Sequence, residues 1–320
     1  MKIVKILLLF IFFTSCEYFT LTSFKDWKEK SDISKESSFI EMVDVVGGES
    51  IIQQQTVFFT NFQIGKYEVT YAQWYKIRQW ASDRGYSIAS LGSEGDDGTA
   101  GNPPTSGNNE PVTLINWRSA IVWCNALSEY EGFKPIYYTD AGFTNILKSC
   151  DATAMTALPV QGSQDYPYVN WKANGYRLPT VVEWEYAGRG GQQNRGCKYA
   201  GSNDLDEAGW SVINATNTNN VGLKKPNELG AFDMTGNAAE FCYEWKPYNN
   251  NNLWFGGFDP ISLEFPDDAG VTNAQRFVTG GDFSASETSC RVGRKTKLAP
   301  EAGANNLGFR VARRKVPYGG

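Results

Sequence analysis

The pattern of hydrophobic and polar positions divides the 320-residue chain into three parts. Residues 6–13 form an unbroken apolar run of eight, which is too short to span a bilayer. Residues 17 to about 40 are rich in Lys, Glu, Ser and Asp, and this composition predicts a solvated tether. From residue 41 onward, short alternating and helical patterns are separated by Gly-, Asn- and Pro-rich stretches. This third part is typical of a loop-rich α+β domain.

Two helices are predicted from their start signals. Thr70 and Gln73 make a capping box, with Thr as the N-cap residue and Gln as the third helical residue. Asn116 is a suitable N-cap for the second helix, and Gly132 marks its end. Apolar residues at helical spacing follow both starts: Trp74, Ile77 and Trp80 in the first helix, and Ala120, Ile121, Trp123, Cys124 and Leu127 in the second.

A third helix is predicted after Pro179, because Thr180 and Glu183 make a second capping box. Its two carboxylates, Glu183 and Glu185, could act as a pair in acid–base catalysis. Helix capping and a structural hydrogen bond explain the same two residues without any chemistry. We favour the structural interpretation.

Composition narrows the possible functions. The formal net charge is −5 and no basic stripe is present, so we expect no nucleic-acid partner. The chain contains no histidine, which excludes imidazole metal sites and Ser-His or Cys-His nucleophile pairs. Aromatic residues reach 14%, a content that suits either a loop-rich core or a binding surface.

The N-terminus has the features of an export signal. Lys2 and Lys5 precede the apolar run, and Thr14-Ser15-Cys16 follows it. This order resembles a bacterial lipoprotein signal, which implies a signal peptide over residues 1–15, lipidation of Cys16 and a tether over residues 16–40. We therefore expect a lipid-anchored protein at the outer surface of the bacterial cell envelope. An ordinary secretory peptide is the alternative.

Five cysteines remain after Cys16. None forms a CxxC pair, which argues against a zinc knuckle, and an odd number leaves at least one thiol free or paired with another molecule. Two of them lie among apolar residues and are expected to be buried. The disulfide connectivity stays open for Cys124, Cys150, Cys197, Cys242 and Cys290, of which Cys124 and Cys242 are the two expected in the core.

Several motifs resemble those of the formylglycine-generating enzyme (sulfatase-modifying factor) family. They include residues 176–187 (YRLPTVVEWEYA), 226–241 (PNELGAFDMTGNAAEF), 279–294 (TGGDFSASETSCRVGR) and 306–312 (NLGFRVA). The resemblance covers roughly residues 41–315. It implies an elaborated C-type lectin-like fold in a single α+β domain.

One position separates this chain from the enzymes that it resembles. In the family, two cysteines five residues apart hold copper and oxidise a substrate cysteine; the second falls on Cys290 here and the first on Ala285. One thiolate does not replace two soft copper ligands. We therefore expect neither copper nor catalysis. A copper-dependent formylglycine-generating or related thiol-modifying oxidoreductase is the alternative.

The second motif above resembles the family turn that binds calcium. The resemblance implies four ligands: the side chains of Asp233 and Glu240 and the backbone carbonyls of Gly236 and Ala238. Oxygen ligands of this kind suit Ca²⁺. An Asx-type turn without metal is the alternative.

Residues 279–312 also resemble the variable region of retroelement-diversified proteins, which use the same fold and include surface lipoproteins. We expect the framework residues Cys290, Val292, Leu307 and Phe309 to be buried and the residues between them to be exposed. The ligand, protein or glycan, stays open, and a constitutive envelope scaffold is a third possibility. The candidate ligand-binding residues are Asp282, Phe283, Ser284, Ala285, Ser286, Thr288, Ser289, Gly293, Thr296, Lys297 and Leu298.

Overall fold

The computed structural model describes residues 38–246, 257–259 and 274–315. The predicted signal peptide, Cys16 and the tether as far as residue 37 lie outside the described residues. Phe39–Gly320 makes one compact unit. Within the described ranges, no helix has the length and apolar character needed to cross a bilayer.

The three predicted helices are present with the predicted starts. Thr70 and Thr180 each exchange hydrogen bonds with the third residue of their helix, which confirms both capping boxes. The Asn116 side chain accepts a hydrogen bond from the Ser119 amide at 2.8 Å, and the second helix ends just before Gly132. The helices are α1 (Tyr71–Ser82), α2 (Trp117–Tyr130), α3 (Val181–Gly188) and α4 (Leu205–Ala208), with a 3₁₀ turn at Gly191–Gln193.

The strands are short and irregularly spaced. They are β1 (Met42–Val45), β2 (Gly48–Ile52), β3 (Gln55–Phe59), β4 (Phe62–Gly65), β5 (Ser93–Glu94), β6 (Val112–Thr113), β7 (Tyr137–Tyr138), β8 (Tyr168–Val169), β9 (Ala239–Lys246), β10 (Gly257–Phe258), β11 (Gln275–Thr279), β12 (Lys295–Leu298), β13 (Leu307–Gly308) and β14 (Ala312–Arg314).

Sheet pairing brings the two ends of the domain together. One sheet has the order β1-β4-β14, so the last strand of the domain pairs antiparallel with a strand near its start. A four-stranded sheet has the order β12-β11-β9-β13 and carries the C-terminal motifs. The remaining sheets are β10-β3-β2, β5-β6 and β7-β8. The result is the mixed α+β, loop-rich architecture that the sequence predicts.

Aromatic side chains fill the larger core. Trp74 and Trp123 stack with their ring centroids 5.7 Å apart, and Phe309 meets both edge-on at 5.9 and 5.4 Å. Such edge-to-face contacts add to the free energy gained by burial. Phe309 thus ties the C-terminal motif to helices α1 and α2. The predicted burial is confirmed for all four framework residues: Cys290, Val292, Leu307 and Phe309.

The cysteines in the described residues are all free thiols. Cys124 and Cys242 are fully buried, as the sequence predicts. Cys197 is half-buried on a surface loop.

Candidate ligand-binding site

Two glycines turn the chain away from β11 at the start of the candidate site. Gly280 and Gly281 have φ values of 90° and 70°, a backbone region that side-chain-bearing residues rarely adopt. A Cβ on Gly281 would lie 2.8 Å from the Cys290 sulfur. The Gly-Gly pair therefore permits both the sharp turn and the close approach to Cys290.

The following loop is held by its own polar groups. The Ser284 amide and hydroxyl both donate to Asp282 Oδ1, at 2.9 and 2.6 Å. The Ser286 hydroxyl lies 3.1 Å from that of Thr288 and 3.0 Å from that of Ser289. The Asp282 carboxylate therefore orders the loop, in the manner of an Asx turn.

Six of the candidate residues are exposed and form what we call the loop face. Of the other five, Asp282, Ala285, Gly293 and Leu298 are half-buried and Phe283 is buried. Leu298 packs against the larger core, and Ala285 packs against a small cluster that contains Cys290. The loop face consists of Ser284, Ser286, Thr288, Ser289, Thr296 and Lys297.

Phe283 does not belong to this surface. Its side chain is only 8% exposed, and its amide donates to the Asn237 carbonyl at 2.9 Å. The structure therefore places Phe283, which the sequence interpretation takes as a ligand-contacting residue, in the interior and outside the loop face. An isolated aromatic residue in a loop gave no signal that it would point inward.

Free variation at Gly293 is also excluded. Its φ is 89°, and an added Cβ would lie 2.8 Å from Arg189 Nη2 and 2.9 Å from Glu185 Oε1. Any side chain here would meet both strain and a clash. Gly293 belongs to the framework rather than to the variable set.

The loop and strand β12 enclose an open groove of about 540 Å³. The groove joins the two halves of the candidate region, residues 282–289 and 294–296, which are separated in sequence. Its wall carries hydroxyl and methyl groups from Thr279, Ala285, Thr288, Ser289 and Thr296, together with the charged residues Asp282, Arg294 and Lys295.

A buried ion cluster supports the groove. The Glu185 carboxylate accepts from Lys295 Nζ at 2.6 Å and from Arg189 Nη2 at 2.8 Å. Burial alone would raise the pKa of Glu185, but the two cations more than offset it and hold that pKa below its ordinary value. Glu185 is thus an ionised structural group. Glu183 also has a structural role, because it caps α3 and pairs with Arg177 at 2.6 Å.

Cys290 lies beneath the loop with no exposed surface. It packs with Tyr199, Leu205 and Ala208. Burial raises the pKa of its thiol to about 12, so the reactive thiolate is scarce at neutral pH. The side chain at position 285 is a methyl group, and this arrangement does not offer a pair of thiolates.

The predicted calcium ligands lie in a buried acidic cluster behind the groove. Glu240 Oε1 and Oε2 accept from Arg310 at 2.7 Å each, and Oε2 also accepts from Trp184 at 2.7 Å. Asp233 Oδ2 accepts from the Gly222 amide at 2.6 Å. Asp233 Oδ1 is buried and receives no hydrogen bond from the described residues.

This arrangement does not fit a calcium cage. Arg310 already neutralises Glu240, and among the described residues no three acidic or cysteine side chains are placed to share a metal. Burial, together with the nearby Asp233 and Glu240 charges, raises the pKa of Glu68, and burial raises the pKa of Asp233 to about 6. Calcium held by Asp233, Glu240 and the carbonyls of Gly236 and Ala238 therefore stays a prediction from the resemblance alone, which these contacts do not support.

Asn237 links this cluster to the loop, a role that sequence reasoning missed. Its amide group donates to Glu68 at 2.7 Å, and its φ of 64° is tolerated by Asn better than by most residues. Its backbone N–H donates to the Trp210 carbonyl, and its carbonyl accepts from Phe283. The Gly-Asn pair of the 226–241 motif was the available signal, because such pairs mark left-handed turns.

The sequence of the chain is similar to one protein family and to several known proteins. Residues 29–315 match the model of the sulfatase-modifying factor enzyme 1-like domain. A protein from Paenibacillus barcinonensis named Chaperone protein LppX is 33% identical over 243 residues, or 67% of this chain and 75% of its own length. The formylglycine-generating enzyme of Bos taurus is 29% identical over 51% of this chain, and the match spans 45% of the enzyme.

Two solved structures share the fold. The crystal structure of CarF superposes with a TM-score of 0.66 at 27% identity, covering 87% of this chain and 99% of CarF. Treponema denticola variable protein 1 superposes with a TM-score of 0.62 at 27% identity, covering 86% of this chain and 95% of its own. These matches confirm the C-type lectin-like fold of the formylglycine-generating enzyme type.

Proposed function

The chain belongs to the sulfatase-modifying factor enzyme 1-like family, and we propose that it is a non-catalytic member that binds a ligand with the loop face. One observation carries the proposal: an exposed, hydroxyl-rich surface lies over a single buried thiol whose family partner is replaced by Ala285. The scaffold is retained without the pair of thiols.

The loop face has the physical character of an adaptable binding surface. Five of its six residues carry short hydroxyl side chains, which cost little conformational entropy when a ligand immobilises them, and Lys297 adds a positive charge. The frame beneath them is rigid, because Cys290 and Val292 are buried and Glu185 holds Lys295 in place. Rigid frames that carry variable loops are a common way to build recognition sites.

The finer proposal is that a retroelement diversifies this face. The similarity to Treponema denticola variable protein 1 supports it, together with the alternation of framework and exposed positions over about residues 279–312. Gly293 and Phe283 are excluded from the diversified set. We also propose that Cys16 anchors the protein in the bacterial cell envelope, at the outer surface.

A chaperone function is the second candidate, since the similar protein from Paenibacillus barcinonensis is named a chaperone. Here the ligand would be a non-native protein rather than one specific partner. Suppression of the thermal aggregation of luciferase by an equimolar amount of this protein would favour this candidate. The absence of suppression would favour specific binding.

Binding by the loop face predicts that its residues can change without loss of the fold. Simultaneous replacement of all six by Ala should lower the free energy of unfolding by less than about 3 kcal/mol, because each exposed substitution costs at most about 0.5 kcal/mol and the hydrogen bonds lost are exposed. The control Phe309→Ala, fully buried, should alone cost about 3–5 kcal/mol. Urea denaturation measures both. A six-Ala variant that is as unstable as the control would contradict the proposal.

A displayed library randomised at the same six positions tests binding itself. Selection against two probes, lysozyme as a folded protein and mannan as a glycan, should yield binders that the six-Ala variant does not reproduce. A library with no binder to either probe would contradict the proposed function.

Lipidation is tested at Cys16. Labelled palmitate should enter the wild-type protein in an exporting bacterial host and should not enter Cys16→Ala. Mass spectrometry of the mature N-terminus should show Cys16 as the first residue. Equal labelling of both proteins would overturn the anchor.

A further inference from the structure

Two exposed aliphatic residues lie directly beside the loop face. Val212 is 59% exposed and Ile213 is 53% exposed. The Val212 amide donates to the Ala285 carbonyl at 3.2 Å, so the two segments are joined through their backbones. Large apolar residues that are exposed side by side are candidates for interaction surfaces.

The turn that carries these residues is rigid. The Ser211 amide donates to the Asn214 side chain at 2.9 Å, and the Asn214 amide donates back to the Ser211 carbonyl at 3.0 Å. Asn214 Nδ2 also donates to the Gly209 carbonyl at 3.0 Å and to Asp206 at 2.7 Å. Val212 and Ile213 are therefore held outward by hydrogen bonds on both sides.

The segment before the turn and the loop are both hydrogen-bonded to the backbone of Asn237. The backbone carbonyl of Asn237 accepts from the Phe283 backbone N–H at 2.9 Å. The backbone N–H of Asn237 donates to the Trp210 carbonyl at 3.0 Å. Asn237 has no exposed surface. Loop and turn therefore keep a fixed relation to each other.

A third exposed aliphatic residue lies next to a side chain that is linked to the turn. Leu223 is 63% exposed and precedes Lys224, whose Nζ bonds Asp206 Oδ1 at 3.0 Å. The same Asp206 oxygen accepts from Asn214. Leu223 is thus connected to the turn through the Lys224–Asp206 ion pair.

We propose that Val212 and Ile213 form a constant apolar half of the ligand-binding face and that the ligand is a folded protein. The inference rests on the proposed function and names the class of its partner. Branched aliphatic side chains gain free energy only when apolar surface covers them, and protein interfaces supply such surface at their centre. Hydrated glycan hydroxyls would gain nothing from this pair.

The position of the turn in the sequence gives it a distinct role. It lies outside residues 279–312, so it stays unchanged when the loop face changes. The turn supplies apolar contact to every partner, and the hydroxyl-rich loop face selects among partners. Because the turn is already ordered, binding loses little entropy there.

The test uses the clones selected against lysozyme and mannan. The double variant V212S/I213S in each lysozyme-binding clone should weaken the Kd for lysozyme at least tenfold. The matched control L158S/V160S removes two aliphatic side chains that are 50% and 77% exposed on the loop between β7 and β8. It should change Kd less than twofold. Both double variants should keep the melting temperature of the parent.

The outcomes separate the two claims. Lysozyme binders that tolerate V212S/I213S, or a library that yields binders to mannan alone, overturn the protein-partner inference and leave ligand binding intact. A library without binders to either probe overturns both. A tenfold loss confined to V212S/I213S supports the inference.

Discussion

At the residue scale, the buried carboxylates differ in what neutralises them. Glu240 forms a salt bridge with Arg310, and Glu185 forms salt bridges with Lys295 and Arg189. Glu244 in β9 is fully buried and has no such cation bound to it in the described part of the chain. Its Oε2 accepts from the Val181 amide at 2.8 Å, and its Oε1 receives no hydrogen bond from any residue described.

This environment makes stability depend on pH through Glu244. Burial raises the pKa of Glu244 from its ordinary value of 4.5 to about 8, although the Val181 amide opposes the change. A folded-state pKa above the unfolded one means that the native state binds the proton more tightly. The stability contribution is therefore complete below about pH 4.5 and is lost as pH rises through 8.

We predict that Glu244→Gln flattens this dependence. Between pH 5 and pH 9 the wild type should lose about 4 kcal/mol more than the variant, since each tenfold change in proton affinity is worth about 1.4 kcal/mol. Urea denaturation across the pH range measures it, with exposed Glu287→Gln as the control. Parallel pH profiles for the wild type and Glu244→Gln would refute the assignment.

The burial of single residues could be predicted from the sequence in some cases and not in others. The positions of Cys290, Val292 and Phe309 were predicted correctly, because apolar framework residues need burial wherever the chain runs. Phe283 and Gly293 are less exposed than the sequence interpretation expects. Their roles come from contacts with Asn237 and Arg189, which are far away in sequence.

At the element scale, the helices were predictable because their signals are local. Thr70 with Gln73, and Thr180 with Glu183, bond within one turn, so neighbouring residues contain the information. The two-residue strands β5 and β13 were not predictable. Their partners, β6 and β9, lie 18 or more residues away, and two residues carry no readable periodicity.

Gly293 allows a test of how β12 is attached to α3. Gly293→Ala should lower the free energy of unfolding by about 2–4 kcal/mol, because the methyl group combines a strained φ with a clash against the Glu185–Arg189 pair. Thr296→Ala, three residues further on and exposed, should cost less than about 0.5 kcal/mol. Chemical denaturation compares the two. Equal stabilities would mean that Gly293 is not part of the frame.

At the scale of the whole molecule, periodicity alone gave only a loop-rich α+β domain. Motif resemblance gave the fold, which the superpositions with CarF and the variable protein confirm. The groove was not visible in the sequence, since it forms only where β12 pairs with β11 and returns beside residues 282–289. The aliphatic turn at Val212 and Ile213 was missed for the same reason.

We expect the chain to have the family's fold without the family's copper-dependent oxidation, and an activity assay tests this expectation. Incubation of the purified chain with copper, oxygen and a cysteine peptide of the sulfatase type should give no aldehyde. The reason is structural: Ala285 has no sulfur, and Cys290 is a buried thiol whose pKa is raised to about 12. A formylglycine-generating enzyme assayed in parallel supplies the positive control. Turnover by the wild-type chain would refute the non-catalytic assignment, because a copper-oxidase mechanism would then operate here with a single thiol.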